Sequence, residues 1–317
     1  MFVQSETMTQ TLALLFTVFL LPASAVQQSP AADFFKRGND YFSKGDYAHA
    51  IEAYTTSIRL DPSSARTFYA RGIAYHQNHD DDRAIGDYAD AIRLEPGYAD
   101  AFRERAFAYE NKDDYEHAIQ DHTQAIRLNP ADVTLVYNRA FDYERTGQYQ
   151  LAITDFDGIL RRFPKAADAY RSRGRVGLYS GHSPEAQLDL SRAVELNPGG
   201  AYNVIWLYIA RSKGATGAED ELAKNAAKLN LTKWPGPVIE LFLGKSTPEA
   251  VLRAASDKDP LKNTAQECEA NFYIAEHQAL HGQRSAAMQG FRTVSESCPK
   301  NYFFYVPAAN AELANKR

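Results

Sequence analysis

In residues 31–64 the aromatic and small positions Phe34, Gly38 and Tyr41, then Ala50 and Tyr54, fall three or four apart, and Pro62 closes the segment. That spacing predicts two helices with one buried face each, and the proline predicts where the second stops, because it has no amide proton to continue the turn. The same layout then returns at fixed intervals. Pro62, Pro96, Pro130, Pro164 and Pro198 stand 34 residues apart, as do Ala50, Ala84, Ala118, Ala152 and Ala186, and Arg37, Arg71, Arg105, Arg139 and Arg173. Starts at Ala31, Ala65, Ala99, Val133 and Ala167 divide the chain into units 31–64, 65–98, 99–132, 133–166 and 167–200. One helical hairpin cannot bury its own apolar face, so units of this kind must stack on one another.

The ladders hold up residue by residue. The second unit has Phe68, Gly72, Tyr75, Ala84, Tyr88 and Pro96; the third has Phe102, Ala106, Tyr109, Ala118, His122 and Pro130; the fourth has Val136, Ala140, Tyr143, Ala152, Phe156 and Pro164. The fifth keeps Tyr170, Gly174 and Ala186 but has Gly177 and Leu190 where aromatics stood. This pattern resembles the tetratricopeptide repeat family over residues 31–200. The resemblance implies an all-α, right-handed superhelical solenoid whose inner groove is lined by the first helix of each hairpin and binds other proteins or peptides. The groove positions are then Phe35, Asn39, Phe42, Tyr69, Ile73, Arg103, Phe107, Tyr137, Asn138, Phe141, Arg171, Arg175 and Tyr179. Aromatic residues interleaved with Arg and Asn suit peptide hot spots. The members that clamp a C-terminal carboxylate use cations that this chain replaces with Asp100 and Glu104, so that mode is disfavoured.

The arginine ladder has two readings, a basic stripe or structural pairs. Asp87, Asp121, Asp155 and Asp189 follow Arg71, Arg105, Arg139 and Arg173 by 16 residues, on the partner helix, which favours Arg–Asp pairing. Ala53 stands where the first unit's Asp belongs, so Arg37 needs another acceptor.

After Pro198 the period is lost. Helices are predicted over 201–211, 219–229, 238–243 and 248–255, the last capped by Ser246-Thr247-Pro248-Glu249. A degenerate hairpin follows at 268–301, with Gly282, Ala287, Phe291 and Pro299 in the positions of Gly45, Ala50, Tyr54 and Pro62, then a capping helix over 302–315. Trp206-Leu207-Tyr208, Trp234-Pro235, Glu240 to Lys245 and Cys268 to Tyr273 make this irregular 201–317 region similar to the tail of NlpI-type proteins. Those are periplasmic tetratricopeptide lipoproteins that scaffold peptidoglycan hydrolases and a periplasmic protease. This chain lacks their lipid-bearing Cys.

The first residues add a location. Leu12 to Leu21 form a ten-residue run that is apolar except for Thr17, too short to span a bilayer, followed by Ala23-Ser24-Ala25. We read residues 1–25 as a cleaved signal peptide, from a start at Met1 or Met8, and the mature protein as exported, periplasmic and without a transmembrane segment. An exported chain meets oxidising conditions. Cys268 and Cys298, at neighbouring ends of an antiparallel helix pair, are expected to form a disulfide.

Charge narrows the partners. The net charge is −5, and removing residues 1–25 loses only Glu6, leaving 35 basic against 39 acidic residues, or −4. No basic field exists for nucleic acid. Neither His76, His79 and Asp80 to Asp82, in a turn, nor His277 and His281, four apart, is read as a specific metal site. Gly244-Lys245-Ser246 lacks the upstream Gly of a phosphate loop, and Ile239 holds its place. No catalytic motif and no cofactor is read from the chain. The expected function is a periplasmic scaffold for protein partners; the alternative is a structural envelope component that self-associates, for instance as a homodimer.

Overall fold

A computed structural model describes residues 29–214, 217–299 and 305–314, and its regular elements there are seventeen helices. The signal-peptide reading of residues 1–25 lies outside the described residues. Five antiparallel hairpins come first: α1 (Pro30–Phe42) with α2 (Tyr47–Leu60), α3 (Ala65–Gln77) with α4 (Asp81–Leu94), α5 (Ala99–Asn111) with α6 (Tyr115–Leu128), α7 (Val133–Arg145) with α8 (Tyr149–Arg162), and α9 (Ala167–Tyr179) with α10 (Ser183–Leu196). Asp46, Asp80 and Asp114 cap α2, α4 and α6 by accepting from the amides of His49, Arg83 and His117. Each second helix stops two residues before its proline.

Small residues set how closely the helices approach. A Cβ on Gly38 would lie 2.4 Å from the Tyr54 ring, and one on Gly72 2.7 Å from Tyr88. The ring fills the space that a side chain on the first helix would need. The turn inside each hairpin also requires a left-handed residue: Gly45, Gly147 and Gly181 supply it, but His79 (φ 61°) and Asp113 (φ 59°) occupy the equivalent places. His79 is exposed, so His79→Gly should stabilise the protein by about 0.5–1 kcal/mol by removing the Cβ penalty. Urea unfolding measures this, and an unchanged or lowered midpoint would count against it.

The arginine ladder is structural. Arg71, Arg105, Arg139 and Arg173 each grip the Asp sixteen residues on through Nε and Nη2, at 2.6–2.9 Å. Three of them also reach back with Nη1 to the preceding hairpin, to Thr55, Thr123 and Asp157. One guanidinium therefore ties its own two helices together and joins them to the previous repeat. Arg37 stacks over Phe34 at 5.1 Å.

Beyond the hairpins come α11 (Ala201–Ser212), α12 (Ala218–Ala226), α13 (Gly236–Phe242), α14 (Pro248–Ala254), α15 (Pro260–Leu280), α16 (Arg284–Ser297) and α17 (Tyr305–Ala314). Thr247 caps α14 by accepting from the Ala250 amide. The sequence placed the opening of the last hairpin at Cys268, whereas α15 starts at Pro260, where Asp259 accepts from the amides of Leu261 and Lys262. Cys268 thus sits inside α15, and Cys298 is the C-cap of α16. The two form a disulfide with Cα atoms 5.8 Å apart. Opening this 30-residue loop, by reduction or by Cys298→Ser, is expected to lower stability by about 3–4 kcal/mol on the chain-entropy account. Denaturant curves with and without reductant measure it; coincident curves would refute it.

The largest core lies here rather than in the repeats. Trp206, Phe272, Tyr273, Phe291 and Tyr305 are all buried, in one cluster with Leu178, Leu190 and Val194 of the fifth hairpin. No helix among the described residues is long and apolar enough to cross a membrane.

Candidate protein-binding face

The thirteen residues read as groove positions lie on α1, α3, α5, α7 and α9, and the structure shows them in three different states. At the amino-terminal end Phe35, Asn39, Phe42, Tyr69 and Ile73 line an open pocket of about 250 Å³ with Tyr54, Arg66, Ala70 and Tyr98. The Tyr54 hydroxyl donates to Asn39 Oδ1 at 2.7 Å, which orients the amide, and the Arg66 guanidinium lies 4.8 Å over Phe35. Tyr69 packs 4.8 Å from Tyr98. Burial pushes the Tyr69 hydroxyl far above its ordinary pKa, and the Tyr54 hydroxyl up to about 12, so both serve as neutral hydrogen-bonding groups. Aromatic walls, one oriented amide and one guanidinium can hold an apolar side chain and a peptide backbone together.

In the middle, Arg103 spends its charge locally, on Asp100 at 2.8 Å and Glu104 at 3.0 Å. Phe107 lies edge-on to His122, with centroids 5.7 Å apart. Tyr137 and Phe141 pack on Phe156 at 5.9 and 6.1 Å, and Asn138 has a buried side-chain nitrogen without a hydrogen bond. Tyr137 also borders an apolar cleft of about 550 Å³ with Val133, Ile159 and Phe163, rimmed by Arg162 and Lys165.

At the fifth hairpin the groove is filled by the chain itself. Helix α17 packs on α7 and α9 as well as on α15 and α16. Arg175 is 1% exposed and pairs with Glu144 of the preceding hairpin at 2.6 Å, so it cannot meet a ligand. The Tyr179 hydroxyl donates to Glu276 of α15 at 2.8 Å. Lys213 joins the same carboxylate to Glu312 of α17. Burial works against the Lys213 charge, but the two carboxylates hold it above its ordinary value. Arg171 is committed to Asp168 at 2.6 Å and Asn203 at 3.1 Å. Arg171, Arg175 and Tyr179 were read from the sequence as open groove residues; the structure makes them the seam between the array and its tail.

Other sequence candidates resolve as local structure. His76 pairs with Asp81 at 2.6 Å, Asp80 caps α4, and Asp82 meets Lys112, so the acidic turn is absorbed by capping and ion pairs. His277 and His281 stack with centroids 4.1 Å apart on α15. Sequence reasoning missed a group made of Glu110, His122, Asp142 and Arg145, whose members come from three helices and four different repeat positions. The only signal was His122 standing in an aromatic position.

Family models for tetratricopeptide repeats match residues 38–78, 101–132 and 137–201. The chain carries tetratricopeptide repeats. Among solved structures, a tetratricopeptide repeat protein from Parabacteroides merdae is 15% identical, with a TM-score of 0.58 over 88% of this chain and 98% of its own. That likeness extends the fold beyond the regular repeats into the carboxy-terminal helices. MamA (25% identity, TM-score 0.49, 52% of this chain and 91% of its own) is also similar. So is YrrB, described as having an unusual peptide-binding site (20%, 0.49, 55% and 90%).

Proposed function

We propose that this protein is a protein-binding scaffold of the cell envelope that works through the open amino-terminal part of its inner face. The observation that carries this reading is the contrast along one groove: an aromatic pocket stays open at the first two repeats, while the chain's own tail closes the fifth. The tetratricopeptide repeats themselves point the same way. The export signal read in residues 1–25 and the NlpI-like tail suggest periplasmic partners, with peptidoglycan hydrolases or a protease as the first to test.

Affinity capture from cell envelopes tests the reading, comparing wild type with Tyr69→Ala. Tyr69 is partly exposed and lines the open pocket, so the variant should fold and lose at least about tenfold in partner affinity, the scale of a hot-spot truncation. Recovery of only the protein's own copies, unaffected by Tyr69→Ala, would favour the self-associating envelope component instead. Mass spectrometry of the mature amino terminus tests export: cleavage before Val26 is expected, and an intact leader would count against a periplasmic location.

A further inference from the structure

Between the third and fourth hairpins the fold gathers two carboxylates, one buried and one partly exposed, around one buried imidazole. His122 is fully buried at the place where neighbouring repeats have Tyr88 and Phe156. Its Nδ1 lies 2.9 Å from Asp142 Oδ2. An ionised carboxylate can only accept, so with Asp142 ionised this contact puts the ring proton on Nδ1 and turns the Nε2 lone pair toward Glu110. Nε2 has no hydrogen-bond partner, yet Glu110 Oε1 stands 3.8 Å away, and Asp142 Oδ1 is likewise without a hydrogen bond. A lone pair facing a carboxylate oxygen is repulsive unless a cation or proton lies between them. Arg145 approaches Glu110 at 3.5 Å and Asp142 at 3.6 Å, an ion pair at a distance. One guanidinium is thus shared between two carboxyl groups that burial pushes toward their neutral forms.

We propose that Glu110 and His122, with Asp142 holding the imidazole, bind a divalent cation of the zinc class. One donor atom from each of the three residues fits within 4.8 Å of the others. Two ligands about 2.0–2.2 Å from a tetrahedral zinc ion lie about 3.4 Å apart, so the 3.8 Å between Nε2 and Oε1 closes with a shift of a few tenths of an ångström. The Asp142–His122 contact is the carboxylate–imidazole arrangement that orients metal-binding histidines. Glu110, partly exposed beside the inner face, provides the way in, and water or a carboxylate from a bound segment completes the coordination. The ion would join the third and fourth hairpins at the point where the open groove passes into the closed one. This site does not depend on peptide binding.

The test uses the full chain without added histidines, stripped with chelator and then given one equivalent of zinc. Retained zinc is measured after desalting, and Tm by scanning calorimetry. Wild type is expected to hold one zinc per chain and to gain about 2–4 °C. His122→Phe restores the aromatic found at Phe156, so it should fold and retain none; Glu110→Gln should fold and lose at least about tenfold in affinity. His277→Ala should behave as wild type. The assignment is overturned if wild type neither holds zinc nor shifts its Tm. It is overturned equally if His122→Phe keeps the ion, or if the ion is lost from His277→Ala instead.

Discussion

Arg175→Met is expected to cost about 3–5 kcal/mol, because it leaves the Glu144 carboxylate buried without the cation that faces it. Arg175 is 1% exposed, Glu144 4%, and they meet at 2.6 Å across the junction of the fourth and fifth hairpins. Burial raises the Glu144 pKa and drags that of Arg175 down to about 10, and the field of Arg175, with a smaller contribution from Arg145, is what opposes the rise at Glu144. Much of the cost is the stranded carboxylate rather than the lost contact. Adding Glu144→Gln to Arg175→Met should therefore recover most of it, although either change alone destabilises. The pH dependence follows with a definite sign. In Arg175→Met the folded-state pKa of Glu144 rises further above that of an ordinary glutamate, so folding favours its protonated form. The deficit is then small near pH 4.5 and grows as pH rises through the folded pKa. Urea unfolding at pH 4.5 and 7.5 measures both effects. A loss below about 1 kcal/mol at pH 7.5, or a double variant no better than the single one, would show that the pair is not the support described here.

How much of this was legible in the sequence depended on periodicity. The ladder of Pro62 to Pro198 and the sixteen-residue offset from Arg71 to Asp87 repeat at one interval, and a contact between adjacent helices repeats with them. The hairpins, the close approach at Gly38 and Gly72 and the Arg–Asp pairs could therefore be read before any coordinates. Contacts that occur once leave no such trace. Tyr179 reaches Glu276 across 97 residues, and Lys213 reaches Glu312 across 99. No repeat announces either, so Arg175 and Tyr179 passed as open groove positions when the tail in fact covers them. The Glu110, His122 and Asp142 group escaped for a related reason. Only His122 departs from a ladder position, Glu110 and Asp142 fall between the ladders, and only the stacking of two hairpins brings the three together. Cys268 and Cys298 fell between these cases: two cysteines admit one intramolecular pairing, but the extra turns that start α15 at Pro260 were hidden.

Trp206→Ala should also cost about 3–5 kcal/mol, and the loss should not be shared evenly along the chain. Trp206 is fully buried and packs on Tyr179 at 6.0 Å, Phe272 at 5.8 Å and Tyr273 at 6.0 Å. It thus connects the fifth hairpin with the disulfide-bonded α15–α16 pair. The first two hairpins draw on separate apolar clusters, around Ala50 and Tyr54 and around Tyr75 and Tyr88. In a stacked array each unit is stabilised mainly by its neighbours, so a cavity at one end weakens the other end only through the intervening interfaces. We expect the variant to unfold in two steps, with α9 to α17 exchanging their amide protons at lower urea than α1 to α4. Binding at the Phe35–Tyr69 pocket should survive the first step, since that pocket touches nothing beyond the third repeat. Hydrogen exchange resolved by segment, alongside binding measured at intermediate urea, decides the matter. A single transition with uniform exchange would mean that the irregular end and the repeats fold as one cooperative unit, and that the tail supports the open groove as well as the closed one.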